Sequence, residues 1–194
     1  MPIRLPSPHK QSGLSLLEVL IATVVLSTGL LGLAGLQIAG MKTTHNSYQM
    51  QQATWIVHDL LERMRANKAE VFHMTTATPP VPDSKYLLTT AVTAATHCST
   101  ALSKDCSTGT HCTGGEMATY DVYNVMCGDG ASSGINNVLM GGQLQVTCPT
   151  NDCRKGVTVN LQWDERNAAS SQAGDFDGNT DGIESFNINL DAIL

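Results

Sequence analysis

The sequence predicts an α+β protein in which a long N-terminal helix is packed on a small antiparallel sheet. An apolar run begins at Leu14, and helical periodicity continues after it to Asn67. Segments that alternate polar and apolar residues follow in the C-terminal half and predict strands. Six cysteines, all in the second half of the chain, predict disulfide-stabilised loops around that sheet.

Composition separates a membrane-embedded end from a soluble end. The chain has 194 residues, which is room for one modest domain, and a net charge of −6. No charged residue lies between Val19 and Met41, whereas most carboxylates lie beyond Asp59. No basic cluster is longer than Arg154-Lys155, so no nucleic-acid partner is expected.

The N-terminal segment predicts a cleaved leader and a membrane span. Residues 1–13 carry Arg4 and Lys10 and no acid, which places this end in the cytoplasm. The apolar run that follows can cross a hydrocarbon core of roughly 30 Å as a helix. Because the small residue Gly13 precedes the run, cleavage after it removes only the basic tail. We therefore predict a leader at 1–13 and a transmembrane or filament-core helix at 14–41.

Glu18 is the one charged residue in the apolar segment. A carboxylate near the bilayer interior costs a few kcal/mol and usually has a functional partner. Cleavage after Gly13 would leave a new amino group on Leu14, at the same end of the helix as Glu18. We expect the amine of a neighbouring copy to neutralise Glu18 when helices stack in a filament.

The run from Gly13 to Ala22 resembles the class III signal of type IV pilins and type II secretion pseudopilins. In that family a prepilin peptidase cuts after the glycine and methylates the new N-terminus, and the glutamate is needed for assembly. The resemblance implies cleavage between Gly13 and Leu14, methylation of Leu14, and an assembly role for Glu18. Leu14 stands where the family usually has Phe, and Ser15 where it usually has Thr.

Two further segments, 24–37 and 59–67, resemble the PilV-type minor pilins, also called type IV pilus modification proteins. The resemblance covers residues 13–67. It implies a type IV pilin-like fold and a non-enzymatic minor pilin that takes part in initiating and assembling pili. The implied partners are other minor and major pilins, the prepilin peptidase and the pilus assembly platform. The resemblance implies that the protein first spans the inner membrane once, with its head in the periplasm. After assembly it is located in the pilus at the cell surface.

Two alternatives share parts of this pattern. A type II secretion minor pseudopilin has the same N-terminal features. A membrane-anchored extracytoplasmic binding module would use its loops to recognise a ligand and would keep its leader. Cleavage at Gly13 separates this second alternative from a pilin.

Residues 42–67 predict an amphipathic second half of the helix. Apolar side chains recur at heptad or four-residue spacing, and we expect them to form one stripe that faces a partner surface: Met41, Tyr48, Trp55, Ile56, Leu60 and Met64. This half of the helix is expected to pack on the globular head.

The head, residues 68–194, begins with a proline-rich loop at 75–83. Residues 87–96 and 120–126 are each compatible with a helix or a strand. Residues 141–147 and 157–163 alternate and predict a pair of antiparallel strands, and 186–190 predict a third. The expected apolar face of this sheet consists of Leu144, Val146, Val157, Val159, Leu161 and Trp163.

The cysteines predict disulfides in an oxidising compartment. Cys148 and Cys153 bracket a turn-rich tetrapeptide between two predicted strands, which places them within bridging distance. The other four allow three pairings, among which the sequence does not choose: Cys98, Cys106, Cys112 and Cys127. His97 and His111 each precede a cysteine, but their irregular spacing disfavours a zinc site.

Oxygen ligands at alternate positions near the C-terminus resemble the first half of a calcium loop. The predicted ligands are Asp177, Asn179, Asp181 and the carbonyl of Ile183. The twelfth position is Ile188 rather than glutamate, so another carboxylate would have to complete the site, from among Asp175, Glu184 and Asp191. The alternative is an acidic solvated turn with no cofactor.

Residues 130–134 match the Gly-x-Ser-x-Gly pattern of serine hydrolases around Ser132. Their context is a Gly/Ser loop rather than a turn between a buried strand and a helix. We therefore expect no enzymatic activity.

Overall fold

The computed structural model describes residues 15–107, 111–129, 133–166 and 183–194. The chain divides into two compact units, residues 1–45 and 46–194. Helix α1, Leu16–Ala66, is 51 residues long and covers most of the predicted apolar and amphipathic segments. The predicted division at residues 13, 41 and 67 concerns processing and membrane position, and it stays a prediction.

In the described residues of the second unit, four shorter helices and four strands follow α1. In chain order they are α2 (Lys68–Val71), β1 (Leu88–Thr93), α3 (Ala94–Cys98), α4 (Gly114–Cys127), α5 (Ile135–Val138), β2 (Gln143–Thr147), β3 (Val157–Arg166) and β4 (Ile183–Ala192). Two 3₁₀ turns, Pro149–Asn151 and Cys153–Lys155, connect β2 to β3.

The sheet has the order β1-β2-β3-β4, and every neighbouring pair is antiparallel. Leu144 lies opposite Leu161 and Val146 opposite Val159, which confirms the predicted pairing of the first two strands. The predicted third strand pairs with β3 as the longer strand β4. The ambiguous segment 87–96 divides into both structures, because β1 ends at Thr93 and α3 begins at Ala94.

Residues 120–126 are helical and belong to α4. Thr113 caps this helix by accepting a hydrogen bond from the backbone of Glu116, whose carboxylate accepts one from the backbone of Thr113. Ala118, Val122 and Val125 recur at helical spacing and are buried. The cap and this apolar face explain why the segment forms a helix rather than a strand.

The core of the second unit lies on one face of the sheet. All six side chains of the predicted apolar face are buried: Leu144, Val146, Val157, Val159, Leu161 and Trp163. They belong to one hydrophobic cluster with α1 residues Ala53, Val57, Leu60, Leu61 and Met64. The predicted packing of a helix on a small sheet is therefore confirmed.

The single stripe predicted along α1 is wrong, because its residues lie on different faces. Met41, Tyr48 and Trp55 are 66%, 56% and 69% exposed, whereas Leu60 and Met64 are fully buried. At about 100° per residue, Trp55 and Leu60 are roughly 140° apart around the helix. The heptad series stays on one face and the buried series occupies another.

Candidate processing and assembly site

Glu18 lies in the first turn of α1. Its backbone N–H donates to the carbonyl of Ser15 at 2.9 Å, which closes the first turn. A carboxylate in this position interacts favourably with the positive end of the helix dipole. The predicted cleavage pair, Gly13 and Leu14, lies outside the described residues.

The helix that carries Glu18 presents an apolar surface. Leu16, Leu17 and Leu31 are 80%, 67% and 73% exposed, and large apolar side chains remain exposed as far as Met41. The helix contains an 18-residue window of mean hydropathy 2.2, none of which is buried, so it is long and apolar enough to cross a membrane. The core helix of a soluble protein can be equally apolar, but it is mostly buried, whereas this window is exposed.

The hydroxyl groups in this apolar segment satisfy their hydrogen bonds within the helix. Thr23 donates to the carbonyl of Leu20 at 2.9 Å, and Ser27 donates to that of Val24 at 2.9 Å. Such bonds remove much of the cost of a hydroxyl in lipid. Glu18 is the one ionisable side chain between Leu16 and Met41.

The glycines of this segment leave open space on the helix surface. A Cβ atom added at Gly29, Gly32 or Gly35 would meet no atom within 4 Å. Packing within the chain therefore does not require glycine at these positions. Small residues allow a second helix to approach closely in a membrane or filament.

Three disulfides stabilise the second unit. Cys148 is joined to Cys153 with a Cα–Cα distance of 4.7 Å, across the turn where the sequence predicted a bridge. The pairing that the sequence left open is Cys98 with Cys127 and Cys106 with Cys112. The first of these ties α3 to the end of α4, a proximity that arises only in the folded chain.

A partly buried polar network, which the sequence did not predict, joins the end of α1 to α4. Arg63 bonds Asp59 at 2.9 Å and Asp121 at 3.1 Å, and Tyr86 donates to the other oxygen of Asp121. Burial and the hydrogen bond to Asp121 raise the pKa of the Tyr86 phenol well above its usual value. Arg63 and Tyr86 are 58 and 35 residues away from Asp121 in the sequence, so no local sequence pattern indicates the network.

The predicted calcium ligands Asp177, Asn179 and Asp181 lie outside the described residues. The fourth, Ile183, is the first residue of β4 and pairs with Arg166. Within the described ranges, no three His, Cys, Asp or Glu side chains are grouped so that they could hold a metal ion.

The other candidates for chemistry in the sequence were the two histidine–cysteine pairs and the hydrolase-like pattern around Ser132. Cys98 and Cys112, each next to a histidine, are both in disulfides. Burial lowers the pKa of His97, whose ring lies 6.2 Å from that of Tyr123. Ser132 of the hydrolase-like pattern lies outside the described residues, and the hydroxyl of the adjacent Ser133 donates to Asp129 at 2.7 Å.

The exposed apolar helix, the antiparallel sheet and the disulfides define an α+β protein with a type IV pilin-like fold. Residues 35–123 match the family described as type IV pilin Tt1218, and residues 8–34 match the prokaryotic N-terminal methylation motif. No curated protein and no solved structure matches the chain. The two matches support assignment to the type IV pilin superfamily, whose members are structural proteins rather than enzymes.

Proposed function

We propose that this protein is a minor pilin of the PilV type, a structural subunit that takes part in initiating and assembling type IV pili. The prepilin peptidase cleaves between Gly13 and Leu14 and methylates the new amino group of Leu14. The mature subunit is anchored in the inner membrane with its head in the periplasm, and it enters the pilus through contacts with other pilins and the assembly platform.

The observation that carries this proposal is the isolation of Glu18 on an exposed apolar helix. No other ionisable side chain lies within the described helix before Lys42. The methylation-motif match covers both Glu18 and the proposed cleavage site. Processing generates a cation at the same end of the helix, so the N-terminus of an adjacent subunit can neutralise Glu18 during assembly.

The open helix surface supports assembly through the same segment. The exposed apolar side chains between Leu16 and Met41 must be covered, by lipid before assembly and by the helices of other subunits after assembly. The open positions at Gly29, Gly32 and Gly35 allow those helices to approach closely.

The test is to express Glu18→Ala in a strain that lacks the native copy and to count surface pili. We expect normal cleavage and loss of piliation with Glu18→Ala, because only the assembly charge is removed. Ser27→Ala is the matched control, since its hydroxyl bonds only within its own helix, and it should leave piliation unchanged. Normal piliation with Glu18→Ala would contradict the proposal.

A minor pseudopilin of a type II secretion system would use the same Glu18 chemistry. It would be incorporated into a short periplasmic filament, so Glu18→Ala would then impair protein secretion and leave pili intact. A membrane-anchored binding module would retain residues 1–13. Mass spectrometry of the N-terminus of the purified protein distinguishes that module from both filament subunits.

A further inference from the structure

The outer face of the sheet carries two rows of carboxamide side chains. Alternate residues of a strand point to opposite faces, and the residues between the buried core positions therefore point outward. In one row Gln143 lies opposite Gln162, which lies opposite Asn187. In the next row Gln145 lies opposite Asn160, which lies opposite Asn189. These six residues are named the amide face.

The amide face has unused hydrogen-bonding capacity. Gln145 donates to the carbonyl of Thr89 at 2.9 Å. Among the described residues, the side chains of the other five have no hydrogen bond to protein. Each of these five amides presents two donor hydrogens and one acceptor oxygen. Asn187 and Asn189 are exposed, and the members on β2 and β3 are half-buried between their neighbours.

Hydrogen-bonded pairs border the rows on both sides. Thr158 donates to Asp191 at 2.6 Å beyond one row, and Ser185 donates to Asp164 at 2.8 Å beyond the other. Neighbouring strands lie about 4.8 Å apart and successive outward residues about 6.8 Å apart. The amide groups therefore form a grid in which several can contact one extended ligand.

The composition of the face selects against charged and apolar partners. No Lys, Arg or Glu occurs in 143–147, 158–164 or 185–191. An anionic ligand on the two rows would find no cation within these three ranges and would meet the carboxylates of Asp164 and Asp191. Lys155 lies at the border of the face, where it lines a surface pocket with Thr158 and Asp191. Protein interfaces have an apolar core, but the large apolar side chains of these strands point inward, as Trp163 does at 1% exposure.

We propose that the amide face binds a neutral polysaccharide. A sugar hydroxyl both donates and accepts hydrogen bonds, and so does a carboxamide, so adjacent amides can satisfy neighbouring hydroxyls of one sugar ring. Repetition of the rows across three strands matches the repetition of a glycan chain. The proposal is independent of pilus assembly, because the amide face lies in the head and the assembly residues lie at the start of α1.

The proposal is tested with the full-length chain in nanodiscs made without glycolipid. Cellohexaose, maltohexaose and chitohexaose are the neutral probes, and a hyaluronan hexasaccharide is the acidic comparison. Binding is measured by ligand-observed NMR titration. We expect saturable binding of at least one neutral probe and weaker or no binding of the hyaluronan hexasaccharide.

The variant Asn160→Ala/Asn189→Ala removes two adjacent amides and should weaken binding of that probe about tenfold or more. Gln162→Ala/Asn187→Ala does the same in the other row, so the test survives if one variant fails to fold. Gln51→Ala/Asn136→Ala removes two exposed carboxamides elsewhere and should leave the affinity unchanged.

Four outcomes would overturn the proposal. The first three are no saturable binding of any neutral probe, unchanged affinity in both amide-face variants, and preference for the hyaluronan hexasaccharide. Self-association of the chain that the amide-face variants abolish would instead identify the face as a contact between copies, and it would also overturn the proposal.

Discussion

Tyr86 donates a 2.5 Å hydrogen bond to Asp121, although the two residues are 35 positions apart in sequence. The tyrosine is fully buried and the aspartate is 5% exposed. The other oxygen of Asp121 bonds Arg63, so one carboxylate connects α4 both to α1 and to the segment before β1. A buried charge with this many partners stabilises one arrangement of the three segments.

The first prediction concerns this hydrogen bond. Tyr86→Phe retains the ring but leaves one oxygen of Asp121 without its donor, and we expect the free energy of unfolding to fall by about 1–3 kcal/mol. Urea unfolding followed by circular dichroism measures the change. Tyr48→Phe is the matched control because Tyr48 is 56% exposed, and it should change stability by less than about 0.5 kcal/mol. Equal stability of the two variants would show that the bond contributes little.

The second prediction concerns acid sensitivity at the start of α4. The Lys104 ammonium, with the backbone N–H of Thr113, lowers the pKa of Glu116 from 4.5 to about 2. Because the pKa is lower in the folded state, the stabilisation is present above about pH 4.5 and is lost as the pH falls towards 2. Glu116→Gln should therefore remove this component of the pH dependence of unfolding.

An NMR titration of Glu116 provides a direct test of the cause. Lys104→Met removes the hydrogen bond of 2.9 Å and should raise the pKa of Glu116 toward its ordinary value. Lys68→Met removes a positive charge that makes no bond to Glu116 and should leave this pKa unchanged. A low pKa that persists in Lys104→Met would assign the shift to the Thr113 backbone instead.

The third prediction ranks two disulfides. The Cys98–Cys127 bridge closes a loop with a sequence separation of 29, and the Cys148–Cys153 bridge one with a separation of 5. The loop-entropy relation predicts losses of about 3.5 and about 2 kcal/mol, respectively, when each pair is replaced by serine. Urea unfolding of the two double variants measures the order, and the reverse order would contradict loop entropy as the main cause.

The fourth prediction concerns the calcium loop at Asp177, Asn179, Asp181 and Ile183, which stays a prediction. Calcium added to chelator-treated protein should raise the thermal unfolding midpoint, because an ion that binds only the folded state stabilises it by mass action. Asp177→Ala/Asp181→Ala should abolish the increase, and Asp105→Ala should retain it. An unchanged midpoint in the parent protein would identify the segment as a solvated turn.

The N-terminal features could be predicted from the sequence because their determinants are local. Helix formation, membrane compatibility and the isolation of Glu18 follow from the order of residues between Gly13 and Met41. Strands β2, β3 and β4 and the buried face of the sheet were predictable for the same reason, since period-two alternation places Leu144, Val159 and Trp163 on one side. The segment of β1 was compatible with a helix or a strand, and only the structure decided it.

The tertiary structure alone decided the features that join distant segments. It selected Cys127 rather than another cysteine as the partner of Cys98, and it brought Arg63, Tyr86 and Asp121 together. It also set the register that aligns Gln162 with Asn187, because a shift of one residue would exchange the two faces of the strand. Such contacts depend on the packing of the whole chain, and the residues flanking each position do not specify them.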